Sequence, residues 1–158
     1  MIQLLAQNHS AMTHLPIASA ILCAIAAVVG LFIYKRELTW AWAILSIVAF
    51  VTVLPTMFTG IAAAKGRLNE DGKPYIQSGI LVADLPANTR IFRHQLLGIS
   101  GAVVAAMLAF LGIGQLRGRT PNKFLVVLLA LLLALLWGIG GHLGGMELWG
   151  EDTFPGFH

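Results

Sequence analysis

The chain has 158 residues, of which 58% are hydrophobic and 11% are charged, whereas soluble proteins carry about 25% charged residues. This composition excludes a secreted disulfide scaffold, a nucleic-acid-binding protein and a disordered chain. Segments 1–34, 38–64, 94–116 and 124–146 contain no Asp, Glu, Lys or Arg. Each segment is long enough for a helix to cross a hydrocarbon core of about 30 Å. The sequence therefore predicts an all-α polytopic membrane protein, a bundle of four transmembrane helices that forms one domain over residues 1–158.

The first two helices are predicted at about residues 15–34 and 39–64. The residues before the first helix are expected to lie at the membrane interface. Cys23 lies inside the first helix and has no second cysteine to pair with, so we expect it to be buried and inert. Trp40 and Trp42 are expected to anchor the second helix at the interface, and Pro55 is expected to kink it.

A polar segment, residues 65–93, separates these helices from the third, which is predicted at about residues 94–116. A connection of this length is usually functional or docked, so we expect it to pack over the bundle or against a partner. The fourth helix is predicted at about residues 124–142, and a tail follows at 147–158.

The basic residues of the two short loops predict the orientation. The segments before the first helix and after the fourth contain no Lys or Arg. The positive-inside rule then places the short loops in the cytoplasm and both termini on the outer side, which is the periplasmic side of a cytoplasmic (inner) membrane. The long segment also carries basic residues, mixed with acidic ones. The short-loop basic residues are Lys35, Arg36, Arg117, Arg119 and Lys123.

All five histidines fall at the outer level of this topology. His9 and His14 precede or open the first helix, His94 opens the third, His142 closes the fourth, and His158 ends the chain. Ionisable groups at membrane depth are candidates for function because leaving them unpaired in lipid is costly. Neutral imidazole is the commonest metal ligand, and two axial histidines hold a low-spin electron-transfer haem. The pattern therefore indicates a haem or metal site built between helices.

The favoured axial pair is His14 with His94, because these residues open two helices that cross the membrane in the same direction. His142 is the third candidate and His9 the fourth. Neighbouring arginines suit haem propionates, and glycine beside His142 lets a flat macrocycle approach the backbone. The predicted cofactor-binding residues are His14, His94, His142, His9, Arg90, Arg93 and Gly141.

Each of these features also has a plain structural interpretation. Histidine and arginine are common at membrane interfaces as anchoring residues, and paired glycines are common where helices pack. Sequence motifs for hydrolases, metalloproteases and nucleotide binding are absent from the chain. The choice among functions therefore depends on where the histidines lie in space.

Three functions are compatible with the pattern. The first is a b-type haem protein that passes single electrons between a membrane oxidoreductase or quinol and a periplasmic redox partner. The second is a non-catalytic accessory subunit of a larger membrane complex, docked through segment 65–93 and the tail. The third is a copper-handling membrane protein that combines histidines with Met12, Met57 and Met146.

The chain resembles a family of small four-helix bacterial membrane proteins of unknown function. Members of that family open with H-P-x-x-V-H-F-P-I and close with L-G-G-x-L-V-Y-x-H-G, whereas residues 9–17 here read HSAMTHLPI and residues 143–149 read LGGMELW. The family also tends to have a T-G-x-x-A segment, matched by TGIAA at residues 59–63, and a histidine that opens its third helix, matched by His94. The opening and closing motifs that carry the resemblance cover some 16 residues.

Two positions depart from the family pattern. Ser10 replaces the usual proline, and Glu151 stands where the closing histidine falls. The resemblance implies a four-helix membrane fold and an association with haem or with respiratory electron transfer. It also implies that His142 substitutes for the missing closing histidine, if that histidine is a ligand in relatives.

Overall fold

The computed structural model describes residues 8–33, 35–66 and 90–149, and it folds them into four helices. All four helices are long and apolar enough to cross a bilayer. The predicted all-α four-helix fold is thus confirmed, and the protein is a multi-pass membrane protein. The helices are α1 (His9–Phe32), α2 (Arg36–Gly66), α3 (Arg90–Leu116) and α4 (Lys123–Trp149).

The helices form a ring in chain order. Among the described residues, α1 packs against α2 and α4, and α3 packs against the same two helices. Hence α1 and α3 face each other diagonally across the bundle. The short connections α1–α2 and α3–α4 lie at one end, which we call the basic end. The starts of α1 and α3 and the ends of α2 and α4 form the other, which we call the histidine end.

Small residues fill much of the bundle interior. Ala20, Ala43, Ala105 and Ala130 are completely buried, as is Cys23, which confirms its predicted burial. Helices in lipid associate through close packing, and small side chains let their backbones approach. Many large apolar residues instead face outward, among them Phe32, Phe110 and Phe124. In a bilayer these side chains contact acyl chains rather than water.

All four helices are longer than the sequence indicates, and the largest differences lie at the start of α1 and the end of α4. Helix α1 begins at His9 rather than near residue 15, and α4 continues to Trp149 rather than ending near residue 142. The first turns of α1 are held by α2, where the Thr56 hydroxyl donates a hydrogen bond to the Met12 carbonyl at 2.9 Å. Residues 9–13, which we expected to precede the first helix, are therefore part of α1, and their position at the membrane interface stays a prediction.

The turn between α3 and α4 is shaped by two capping motifs. Gly118 adopts a positive φ of 84° after the last turn of α3. The Arg119 N–H then donates to the Gly114 carbonyl at 2.9 Å, and the Gly118 N–H donates to Gln115 at 3.0 Å. This is the Schellman pattern that ends helices at glycine. The Asn122 side chain caps α4 by accepting from the Phe124 N–H at 2.9 Å.

Trp42 does not lie where the sequence predicted. Its side chain is 7% exposed and belongs to the bundle core, whereas Trp40 is 42% exposed. The two residues lie about 200° apart around α2, so only one of them can face the lipid interface. Pro55 lies inside α2, which is continuous through it, and the kink stays a prediction. The lead 1–7, the segment 67–89 and the tail 150–158 with His158 lie outside the described residues, as does the predicted docking of that segment.

Candidate functional site

His9 and His94 lie beside each other at the histidine end. Their ring centroids are 6.2 Å apart, and the ring planes meet at 83°. His9 is on α1 and His94 is on α3, the diagonal pair of helices. The two imidazoles therefore meet across the centre of the bundle rather than along one of its sides.

The His94 ring is fixed by a backbone carbonyl of α4. Its Nδ1 atom lies 2.7 Å from the Gly140 oxygen. A carbonyl oxygen accepts hydrogen bonds and cannot donate them, so Nδ1 carries the proton. In the neutral imidazole the lone pair is then on Nε2, which is the atom through which a histidine with this tautomer binds a metal.

The His9 ring is fixed in the same way by α2. Its Nδ1 atom lies 3.1 Å from Thr59 Oγ1. The Thr59 hydroxyl also lies 3.0 Å from the Thr56 carbonyl, to which it can donate its proton. When it does so, it accepts from Nδ1 of His9, and the lone pair of the neutral ring is then on Nε2.

Each imidazole also packs against a glycine of the helix that holds it. A Cβ atom at Gly60 would lie 2.9 Å from Cε1 of His9, and a Cβ at Gly144 would lie 2.7 Å from Cε1 of His94. Both distances are shorter than carbon atoms tolerate without a shift. The two helical hairpins thus use one arrangement: the first helix supplies the histidine, and the second supplies an oxygen acceptor and a glycine.

His14, the favoured partner of His94 in the sequence prediction, is exposed on α1. It follows His9 by five residues, which places it about 140° further around the helix. The residue beside His94 is His9, the fourth candidate. The pairing of His14 with His94 stays a prediction that no contact in the structure supports.

The remaining predicted site residues lie near this pair but differ in exposure. His142 is half-buried with its Nε2 atom shut off from the surface. A Cβ at Gly141 would lie 2.8 Å from Cδ1 of Ile17, so this glycine packs α4 against α1. Arg93 is exposed, whereas Arg90 is half-buried one turn before His94.

The donor set is small. Within residues 8–33, 35–66 and 90–149, no group of three or more His, Cys, Asp or Glu side chains is placed to hold a metal ion. The side-chain pair described at this end consists of the two imidazoles of His9 and His94.

A sequence signal for His9 does exist. Pro16 and Cys23 are buried on α1, and His9 precedes Pro16 by seven residues, the spacing that keeps side chains on one packed seam. The signal is usable only if the helix is known to extend back to His9.

Comparison of the chain with protein-family models, with curated proteins and with solved structures gives no match.

Proposed function

We propose that the protein is a b-type haem protein of the bacterial inner membrane that transfers single electrons, with His9 and His94 as the two axial ligands. The observation that carries this proposal is the pair of imidazoles from diagonal helices, 6.2 Å apart, each with Nδ1 held by an oxygen atom. Histidines that bind metals usually donate their second N–H to such an oxygen, which fixes the ring and raises its basicity.

The number of imidazoles and the separation of their rings are compatible with two ligands to one haem iron, which supports the proposal. Two imidazoles that face each other across a metal bound at about 2 Å have ring centroids about 6 Å apart, close to the observed 6.2 Å. Axial ligation of haem iron needs two protein ligands. Protein sites for zinc need three or four, and a His/Met copper site needs a methionine beside the histidines.

The methionines give less support to the copper alternative. Met12 is 45% exposed, and Met57 packs against the apolar core of the bundle. Methionine at such positions serves as a flexible filler of apolar space. Copper binding is therefore an outcome that the experiment below distinguishes, and haem is the ligand that we propose.

A bound haem would supply a one-electron iron couple. In this proposal His9 and His94 hold the iron, and Thr59 and the Gly140 carbonyl orient the two rings. Arg90, one turn before His94 on the same helix face, is placed to pair with a propionate. The histidine end faces the periplasm in the predicted orientation, so a redox partner would dock there.

The test is the optical spectrum of the purified full-length protein and three variants. We expect the wild type to show a Soret band and sharp α and β bands on reduction. His9→Ala and His94→Ala should each lose the low-spin spectrum, because one axial position is left open. His14→Ala is the matched control, and it should keep the wild-type spectrum because His14 is exposed on another face of α1.

Three results would contradict the assignment in different ways. Loss of the low-spin spectrum in His14→Ala, with His9→Ala unchanged, would restore the pair His14–His94. A colourless wild type that binds copper stoichiometrically by metal analysis would favour the copper alternative. A colourless wild type that copurifies with larger membrane subunits would favour the accessory-subunit alternative.

A further inference from the structure

The basic end of the bundle carries a strong excess of positive charge. Glu37 is its single acidic residue among the described residues, and it lies in the first turn of α2. A surface with this charge attracts anionic lipid head groups when it lies at the depth of the membrane interface. The basic residues there are Lys35, Arg36, Arg117, Arg119 and Lys123.

A groove of about 420 Å³ opens at this end between α2 and α3. A second groove of about 730 Å³, between the end of α1 and the start of α2, shares Arg36 but also includes Glu37. The carboxylate makes the second groove a poorer site for an anion. The first groove is lined by Arg36, Thr39, Trp40, Gln115, Leu116 and Gly118, with no carboxylate among them.

The Arg36 side chain is held in place without an acidic partner. Its guanidinium carbon lies 5.2 Å from the centroid of the Trp40 ring, within the range of a cation–π contact. The described part of the chain places no carboxylate in an ion pair with Arg36. A planar guanidinium fixed in this way can form two parallel hydrogen bonds to a phosphate.

Arg119 is brought to the same end by the turn that follows α3. A Cβ at Gly114 would lie 3.6 Å from Cδ of Arg119, so the arginine stem packs back over the last turn of the helix. Gly118, which precedes it, lines the groove. The Schellman turn thus adds a second arginine at the basic end of the bundle.

Apolar surface continues from the groove toward the middle of the membrane. Ile44 is 47% exposed one turn beyond Trp40, and Ile113 is 39% exposed one turn before Leu116. These side chains offer contact to an acyl chain whose phosphate lies in the groove. An inorganic phosphate ion cannot contact this apolar surface favourably, whereas a phospholipid contacts the groove with its phosphate and the apolar surface with its acyl chains.

We propose that the groove lined by Arg36, Trp40 and Gln115 binds the phosphate of an anionic phospholipid, with the acyl chains along Ile44 and Ile113. The site lies at the opposite end of the bundle from His9 and His94, and it does not depend on the proposed haem function.

The test is native mass spectrometry of the delipidated full-length protein in detergent, titrated with phosphatidylglycerol, phosphatidylcholine or inorganic phosphate. Arg36→Gln should weaken phosphatidylglycerol binding about tenfold relative to Lys123→Gln. Lys123→Gln is the matched control, because it removes the same charge from the same end at a residue that does not line the groove. Arg36→Lys keeps the charge but loses the planar fork, so it should weaken binding less than Arg36→Gln and more than Lys123→Gln.

The helix content of each variant is measured by circular dichroism. If Arg36→Gln does not fold, the comparison of Arg36→Lys with Lys123→Gln tests the proposal. The proposal is overturned if the Arg36 variants match Lys123→Gln, since diffuse surface charge would then explain the binding. It is also overturned if phosphatidylcholine binds as tightly as phosphatidylglycerol, or if inorganic phosphate binds with the same affinity as phosphatidylglycerol.

Discussion

Gly60 and Gly144 decide how closely an imidazole can approach the helix that holds it. At both positions the space that a Cβ atom would need is occupied by the Cε1 atom of a histidine from another helix. The Nδ1 atoms of the same rings are bonded to Thr59 and Gly140 on those helices. A methyl group at either glycine therefore competes with a ring whose position is also set by a hydrogen bond.

Gly144→Ala should displace His94. The added Cβ would lie 2.7 Å from Cε1 and 3.0 Å from Nδ1, so the ring must move and its bond to Gly140 lengthens. We expect a loss of stability of about 1–3 kcal/mol, typical of overpacking, measured by thermal unfolding in detergent. Gly138→Ala is the control on the same helix, because a Cβ there meets nothing within 4 Å. Equal effects of the two substitutions would refute the steric argument.

At the same scale, the sequence predicted that the histidines of α1, α3 and α4 lie at one end of the bundle, but not which two of them lie side by side. His94 was chosen from its place at the start of a helix, and the structure puts it in the central pair. His14 was preferred to His9 because the first helix was predicted to begin near residue 15. In the structure α1 starts at His9, because contacts with α2 stabilise helical turns that the local sequence does not predict. As a result His9, rather than His14, lies beside His94.

The backbones of α2 and α3 approach each other closely at Gly112, where a side chain would not fit. A Cβ at Gly112 would lie 2.8 Å from the Ala43 carbonyl oxygen and 2.6 Å from Ser46 Oγ. The buried Ser46 hydroxyl also lies 2.8 Å from the Ala43 carbonyl and 3.3 Å from the Leu108 carbonyl, so it links the two helices weakly. Packing and hydrogen bonding thus act at the same contact.

Gly112→Ala should destabilise the bundle more than Ser46→Ala does. The alanine methyl would clash with backbone atoms of α2, which move only if the whole helix moves, at about 1–3 kcal/mol. Hydrogen bonds between transmembrane helices average about 0.6 kcal/mol, so removing the serine hydroxyl should cost less. Unfolding in detergent gives both values, with Gly98→Ala as the control because a Cβ there has open space. The reverse order would mean that the hydrogen bond dominates the contact.

At the scale of elements, helix ends follow local sequence rules where a glycine or a capping side chain marks them. Gly118 and Asn122 mark the turn between α3 and α4, and both act there as local rules require. The end of α4 was predicted near residue 142, whereas the helix continues to Trp149. Leu97, Ile17 and His94 pack against Gly140, Gly141 and Gly144, which agrees with the interpretation that paired glycines mark helix packing.

For the whole molecule, the four spans follow from hydropathy alone, and the short connections make α1–α2 and α3–α4 neighbours. The packing of α2 on α3 and of α1 on α4 is known only from the structure. Hydropathy could not give the burial of Trp42, because the rotation of a helix depends on its neighbours rather than on its own apolar content. The fold also places two groups of polar residues at opposite ends of the bundle. The imidazole pair lies at one end, and the basic residues of the short connections lie at the other.

This separation makes the membrane orientation decisive for function, and reporter fusions measure it. Fusions after Arg119 should report the cytoplasm, because the short connections carry five basic residues, whereas no Lys or Arg precedes α1 or follows α4. Fusions after Gly72 should report the periplasm. Replacing the basic residues of one short connection with glutamine is the control, and it should weaken the orientation bias. The opposite pattern of reporter activity would place His9 and His94 at the cytoplasmic face, and a periplasmic redox partner would then be excluded.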